Sequence, residues 1–220
     1  MRRPGRGAAF VGIVRGEQFV SRPRRVLWTG LVLAALVAVV AVVIPARPLA
    51  IDLRWSEAMR DVESGRLHDV ALAFNYAGRG LGRALSLAAI GIVIILRRRW
   101  WALVAFAVTE SLTPLSVNLF KLLVDRPRPP GAMVQATGSS FPSGHAGYAG
   151  ATAIALLLLF TRPGTGRRRA WAVAAAVVVA GMVWSRTDLS VHWLTDSASG
   201  AILGTGIALA TFAAVQIRRL

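Results

Sequence analysis

Three short polar clusters carry the side chains that could do chemistry on a phosphate group. Arginine forks match phosphate oxygens with paired hydrogen bonds, and a lysine ammonium adds a compact positive charge. Two of the chain's three histidines and its only lysine lie in these clusters. Their composition predicts an anion site with imidazole groups available for catalysis. They are Lys121 and Arg128; Ser143, Gly144 and His145; and Arg186, His192 and Asp196.

The spacing of the third cluster predicts an activated nucleophile. His192 and Asp196 are four residues apart, so on a helix they share a face. A carboxylate bonded to one imidazole nitrogen fixes the tautomer and raises the nucleophilicity of the other. His145 comes from another part of the chain and could protonate a leaving alkoxide or phosphate as a general acid. No metal-ligand cluster accompanies these residues, so we expect no metal and no other cofactor.

The second cluster predicts a phosphate cradle. Ser143 stands where the first residue before a helix is expected. A helix that starts there would direct backbone N–H groups and its positive dipole end at an anion. Phosphoryl transfer needs charge neutralisation, a nucleophile and a protonated leaving group, and the three clusters together supply all of them.

Long apolar runs predict that membrane helices position these clusters. The chain has 220 residues and is 55% hydrophobic, and the run 26–44 has no charged residue. About 20 apolar residues cross a bilayer as a helix. We expect an all-α bundle of six transmembrane helices in one domain, 26–220, after a disordered basic tail at 1–25. The expected spans are 26–44, about 78–96, 100–123, 146–161, 170–184 and about 191–217, with a short surface helix within 51–69.

Charge predicts the orientation in the membrane. The net charge is +16, and the arginines gather at the ends of apolar runs, which favours cationic cytoplasmic loops over nucleic-acid binding. Cytoplasmic termini would place sixteen arginines and one acid on the inner side, and ten basic and eight acidic residues on the outer side. The positive-inside rule favours this arrangement, with all three clusters at the outer face. The chain has no cysteine, which excludes disulfides and thiolate chemistry.

Four further charged residues receive structural interpretations. Arg126 is interpreted as an interface anchor, and Arg79 and Arg83 as snorkelling from the second span to the outer interface. Glu110 lies near the middle of the third span, where an ionised group is costly. We expect it to be protonated or to bond Ser or Thr on a neighbouring helix.

The three clusters resemble the motifs of the type 2 phosphatidic-acid phosphatase superfamily, which also includes vanadium-dependent haloperoxidases. The first motif, Lys, six residues, Arg-Pro, is matched from Lys121 to Pro129. The second, Pro-Ser-Gly-His, is matched from Pro142 to His145. The third is Ser-Arg, five residues, His, three residues, Asp, and it is matched from Ser185 to Asp196. No motif position departs from the pattern.

The resemblance implies a role for each residue. His192 would be the nucleophile that forms a phosphohistidine, Asp196 would orient it, and His145 would be the general acid. Hydrolysis would need no metal. The phosphate would be held by Lys121, Arg128, Ser143, Gly144 and Arg186.

These expectations define a lipid phosphatase of the cell membrane. The substrate would be a polyprenyl diphosphate such as undecaprenyl diphosphate, with phosphatidic acid and phosphatidylglycerol phosphate as rivals. Two other interpretations stay open. One is a vanadate-dependent haloperoxidase, and the other is a non-catalytic phospholipid-binding or transport protein. The sequence does not decide the oligomeric state.

Overall fold

The computed structural model describes residues 18–61 and 65–219. Within these ranges the chain forms α-helices and no strands, as the all-α prediction requires. Eight helices follow one another in the described residues. They are α1 (Pro23–Val43), α2 (Ala50–Asp61), α3 (Gly65–Ala77), α4 (Gly80–Leu96), α5 (Trp100–Leu123), α6 (Gly144–Phe160), α7 (Gly166–Asp188) and α8 (Leu194–Ile217).

Helix α8 is the centre of the bundle, and it packs against α1, α5, α6 and α7. Small residues let α6 and α8 approach each other closely. A Cβ placed on Gly204 would overlap the main chain of Gly147, and one placed on Gly200 would overlap the main chain of Ser143. Close contact through glycines is typical of helices packed within a membrane. This contact fixes the start of α6 against the start of α8.

Apolar side chains also cover the outside of the bundle. On α1, Val42 is 87% exposed and Trp28 is 67% exposed, although this helix is strongly apolar. Water would disfavour such a surface, whereas lipid chains would cover it. The fold is therefore that of a membrane protein.

The prediction of six spans is not confirmed. Among the described residues, four helices are long and apolar enough to cross a membrane: α1, α5, α7 and α8. The bent pair α3 and α4 passes the same test as one broken span, which raises the number to five. Helix α6 is also apolar, but with 17 residues it is shorter than these four helices.

The region before α5 differs most from the prediction. The second span was expected to be continuous from about residue 78, but α3 and α4 meet at an angle of 60° across Gly78 and Arg79. The expected surface helix at 51–69 is instead α2 and the first part of α3. Helix α3, on the N-terminal side of the break, packs against α7.

The predicted basic tail lies mostly outside the described residues, which begin at residue 18. In its described part, Phe19 and Val20 are buried. Their backbone N–H groups donate to Oε1 of Gln216 at 2.8 and 3.0 Å. The tail therefore joins the folded bundle before α1 begins.

Candidate active site

The three polar clusters meet at one end of the bundle. Helices α5 and α7 end there, and α6 and α8 begin there, because successive helices run in opposite directions. The segment between α5 and α6 lies across this end and is tied to it by main-chain hydrogen bonds. The N–H of Ser143 donates to the carbonyl of Asp196 at 3.0 Å, and the N–H of Met133 donates to that of Leu189 at 3.1 Å.

A cavity of about 130 Å³ opens at this end. Four of the predicted site residues line it: Arg128, His145, Arg186 and His192. The cavity thus brings together two imidazoles and two guanidinium groups that are up to 64 residues apart in sequence. Its other lining residues were not predicted as site residues. They are Asn75, Arg79, Gln135, Ala136 and Val191.

The ring of His192 is buried and held in one orientation. Its Nδ1 lies 2.7 Å from the carbonyl oxygen of Ser140, so Nδ1 carries the proton and donates it to that carbonyl. The Nε2 atom lies 3.3 Å from a guanidinium nitrogen of Arg128 and keeps its lone pair. Burial lowers the pKa of His192 well below its usual value, and the positive charges of Arg128, Lys121 and Arg186 lower it further. His192 is therefore neutral at pH 7.

Asp196 does not bond the His192 ring directly. Its Oδ2 lies 3.9 Å from Nδ1 of His192, beyond hydrogen-bonding distance, and accepts the N–H of Trp193 at 3.0 Å. Its Oδ1 accepts a hydrogen bond from the Arg126 guanidinium. Asp196 thus caps α8 and pairs with Arg126, while the Ser140 carbonyl occupies the position expected for the carboxylate.

Arg126 is not the interface anchor that was predicted. Its side chain is fully buried between two carboxylates, Asp52 from α2 and Asp196 from α8. It donates to Oδ2 of Asp52 at 2.7 Å and to the hydroxyl of Thr195 at 2.8 Å. The prediction failed because the second carboxylate comes from α2, which no motif includes. Arg126 joins α2, the segment before α6 and the start of α8.

Asp52 completes this buried network. It accepts the N–H of Thr195 at 2.9 Å and that of Leu49 at 3.0 Å, so it holds the first turns of both α8 and α2. Burial acts to raise the pKa of the Asp52 carboxyl, but the hydrogen bonds from Thr195, Arg126 and Leu49 outweigh it and leave the pKa below its usual value. The carboxylate is therefore ionised opposite Arg126.

Arg128 and Lys121 hold the segment between α5 and α6. Arg128 donates to the carbonyls of Val191 at 2.7 Å and Thr137 at 2.8 Å, and Lys121 donates to that of Ser139. Burial lowers the pKa of Arg128, an effect that the Asp196 charge partly offsets. Lys121 does not line the cavity, but its positive charge contributes to lowering the pKa of His192.

Arg186 is oriented by a residue that the sequence did not indicate. It is buried, and it donates to the side-chain oxygen of Asn75 at 2.9 Å and to the Ser185 hydroxyl at 3.0 Å. Its Nε atom has no partner among the described residues. Asn75 is an isolated asparagine in α3, so only the contact of α3 with α7 reveals its role.

His145 lies at the first turn of α6 beside the break between α3 and α4. Its ring bonds the main chain of Asn75 and contacts Gly78, where an added Cβ would come within 2.8 Å of the ring. Its Nε2 is buried and has no partner among the described residues. The ring thus keeps one nitrogen available at the edge of the cavity.

Ser143 and Gly144 take the positions expected at the start of α6. Ser143 is the N-cap residue and is fully buried, but its hydroxyl makes no cap bond and has no partner among the described residues. Gly144 follows it at the first helical position. Neither residue lines the cavity.

Glu110 finds the kind of partner that was predicted for it. Its carboxylate accepts the hydroxyl of Thr152 on the neighbouring α6 at 2.8 Å. It also pairs with Arg83 at 3.3 Å, and the Arg83 guanidinium lies 3.6 Å from the centre of the Tyr148 ring. Arg83 therefore turns into the bundle, so the prediction that it snorkels outward is wrong.

Metal ligands do not cluster in the part of the chain that the structure describes. Within it, no three His, Asp or Glu side chains come together as a group that could hold a metal ion. The described cavity instead offers guanidinium and imidazole donors, which suit a phosphate group.

Known proteins resemble this chain in sequence and in fold. A sequence profile described as the PAP2 superfamily matches residues 98–220, which include all three motifs. No curated protein sequence matches the chain.

Two solved structures share the fold. One is a transmembrane PAP2 type phosphatidylglycerolphosphate phosphatase from Bacillus subtilis, with a TM-score of 0.66 and 23% identity over 90% of this chain and 96% of that chain. The other is Aquifex aeolicus LpxE, with a TM-score of 0.62 and 19% identity over 74% of this chain and 95% of that chain. At these identities the likeness concerns the fold.

Proposed function

Because the chain belongs to the PAP2 superfamily, we propose that this membrane phosphatase removes the terminal phosphate of a lipid through His192 as nucleophile. One observation carries the proposal. The unprotonated Nε2 of His192 lines the same cavity as Arg128, Arg186 and His145, so a nucleophile, two phosphate-binding groups and a proton carrier surround one space.

In the first step, the Nε2 lone pair of His192 forms a bond to phosphorus. The bond between phosphorus and the leaving oxygen breaks, and His145 donates a proton to that oxygen. Burial and the positive charge of Arg186 lower the pKa of His145 to about 3 in the unliganded protein. An anionic headgroup beside the ring raises this pKa and so favours the protonated imidazole. Arg128 and Arg186 neutralise the charge on the transferred phosphoryl group. The carbonyl oxygen of Ser140 accepts a hydrogen bond from Nδ1 of the positively charged His192 ring.

In the second step, water attacks the phosphohistidine. His145, now neutral, accepts a proton from the water as its oxygen bonds to phosphorus, and the bond to Nε2 of His192 breaks. Inorganic phosphate leaves, and both histidines return to their starting states. Lys121 would help to hold the phosphate through its positive charge. Ser143 and Gly144 would do so through the start of α6.

An apolar cavity beside the polar one supports a lipid substrate. It has a volume of about 290 Å³ and lies between α3, α4, α6 and α7. Gly78 lines it and contacts His145, which lines the polar cavity. A headgroup in the polar cavity would thus continue into apolar surroundings. We propose a polyprenyl diphosphate as the substrate, with phosphatidic acid and phosphatidylglycerol phosphate as the alternatives to be measured.

The proposed orientation places the polar cavity at the outer face of the cell membrane. Residues 162–169, which connect α6 to α7 and include the first residues of α7, carry four arginines and no acid, which favours the cytoplasm for that end of the bundle. The cavity lies at the opposite end. The substrate headgroup would therefore be hydrolysed on the extracytoplasmic side.

Phosphate release by the purified, detergent-solubilised protein tests the proposal. The assay would contain EDTA and would compare polyprenyl diphosphate, phosphatidic acid and phosphatidylglycerol phosphate, with His192→Ala as the inactive control. We expect release from at least one lipid and its loss in the variant. Activity that survives in the folded variant would contradict the role of His192.

The same assay separates the other interpretations. Lipid binding without turnover by the folded wild-type protein would favour a binding or transport protein. Halide oxidation that needs vanadate and peroxide would favour a haloperoxidase.

A further inference from the structure

Arg79 adds a third guanidinium to the polar cavity, and the three motifs do not include it. Arg128 and Arg186 also line the cavity, but both are bonded to the protein itself. The side chain of Arg79 is exposed and makes no hydrogen bond or ion pair with the residues that the structure describes. Its charge is therefore available to a ligand.

The position of Arg79 is on the leaving-group side of the site. It lies in the break between α3 and α4, directly after Gly78, which contacts His145. Its positive charge acts on both His145 and Arg186. Gln135, from the segment between α5 and α6, lines the same cavity and offers an amide with two N–H donors.

We propose that Arg79 and Gln135 form a second anion subsite that binds the inner phosphate of a diphosphate headgroup, so that the substrate is a lipid diphosphate. The proposal rests on the proposed function, because it takes His192 to attack the outer phosphate. The oxygen that bridges the two phosphates is then the leaving oxygen, beside His145. The inner phosphate follows it toward Arg79.

The subsite would bind the inner phosphate in the ground state and bind it more strongly in the transition state. As the bridging P–O bond breaks, negative charge develops on the inner phosphate, and a guanidinium beside it stabilises that charge. A lipid monophosphate places carbon at this position and leaves Arg79 without a partner. The contacts suit a diphosphate: Arg128 contacts His192, whereas Arg79 follows Gly78, which contacts His145 and lines the apolar cavity.

Selectivity between matched substrates tests the subsite. Farnesyl diphosphate and farnesyl phosphate have the same chain, so the ratio of their kcat/KM values isolates the second phosphate. We expect Arg79→Gln to lower this ratio about 10- to 100-fold, the range of one charge-assisted hydrogen bond. Arg79→Lys should restore part of it. Arg66→Gln, which removes an exposed charge from α3 outside the cavity, should leave the ratio unchanged.

A binding measurement keeps the test independent of turnover. Calorimetric titration of His192→Asn with inorganic diphosphate and with phosphate should show tighter binding of diphosphate. Adding Arg79→Gln to this variant should abolish the difference in affinity between the two ligands. An unchanged kcat/KM ratio in Arg79→Gln would contradict the proposed subsite. So would a loss of kcat/KM that is confined to phosphatidylglycerol phosphate. A wild-type protein that binds diphosphate through Arg79 but releases no phosphate would instead contradict the proposed function.

Discussion

The carbonyl oxygen of Ser140 lies 2.7 Å from Nδ1 of His192, and this contact decides which imidazole nitrogen is available for attack. A carbonyl only accepts hydrogen bonds, so the proton must lie on Nδ1 and the lone pair on Nε2. Ser140 lies two residues before the first residue of the second motif, and its N–H donates to the Arg126 carbonyl at 2.8 Å. The tautomer of the nucleophile is thus set by the segment between α5 and α6.

The first prediction concerns the protonation of His192. Burial and three nearby positive charges lower its pKa, so the ring should stay neutral, with the proton on Nδ1, as the pH falls from 7 to 6. Nitrogen-15 NMR of histidine-labelled protein measures both properties. The chain has only three histidines, so the loss of one signal set in His192→Gln assigns the resonances. A ring that becomes protonated near pH 6.5, or a proton on Nε2, would be the contrary result.

The second prediction concerns the buried pair of Arg126 with Asp52 and Asp196. Removing one partner of a buried ion pair typically costs about 3–5 kcal/mol, because the remaining charge is left unpaired. Arg126→Gln should lower the unfolding free energy by about this amount and should also reduce kcat, since Ser140 and Asp196 both depend on Arg126. Urea unfolding in a mild detergent and phosphate release measure the two effects.

Arg54→Gln is the matched control for this prediction. Arg54 is an exposed arginine in the same helix as Asp52, so its loss changes the net charge without breaking the pair. Equal stability of the two variants would show that the pair does not hold the site together.

The third prediction concerns the close contact of α6 and α8. An alanine at Gly204 would overlap the carbonyl of Gly147, so Gly204→Ala should separate the two helices. Ser143 and His192 lie at the ends of these helices, and therefore both melting temperature and kcat should fall. In Gly91→Ala the new methyl group meets nothing within 4 Å, so the variant should keep its stability or gain about 0.5–1 kcal/mol from the better helix former. A similar melting temperature for both variants would argue against the contact.

The motif residues were predictable from the sequence because fixed spacing within a short segment reports them. His192, Arg186, Arg128 and His145 all line the cavity, as the alternating helices required. Their supporting residues were not predictable, because each comes from a distant segment with no motif. Asn75 bonds Arg186 across 111 residues, and Asp52 bonds Arg126 across 74.

The fold was likewise predictable only in part. Apolar runs located the helices, and their alternation located the common end. The break between α3 and α4 was missed because Gly78 and Arg79 were interpreted as the start of a span rather than an interruption between two helices. The pairing of Arg83 with Glu110 was missed because the two charges lie in different helices, and neither sequence segment indicates which face of its helix is inside.

The fourth prediction concerns orientation in the membrane. The chain has no cysteine, so a single introduced thiol reports one position. Met133→Cys lies in the exposed segment between α5 and α6, and Gly166→Cys lies at the other end of the bundle, where an added side chain meets nothing within 4 Å. In intact cells an impermeant maleimide should label the first and not the second. Labelling only at Gly166→Cys would reverse the proposed orientation.

The nucleophilic role of His192 is tested most sharply by trapping the phosphorylated enzyme. The protein would be mixed with substrate labelled at the terminal phosphate, quenched with base within milliseconds to seconds, and digested for mass spectrometry. We predict an acid-labile phosphate on the peptide that contains His192, attached at Nε2 and absent from His192→Asn. Turnover of the substrate without any phosphorylated peptide, or with phosphate on a residue other than His192, would show that His192 is not the nucleophile.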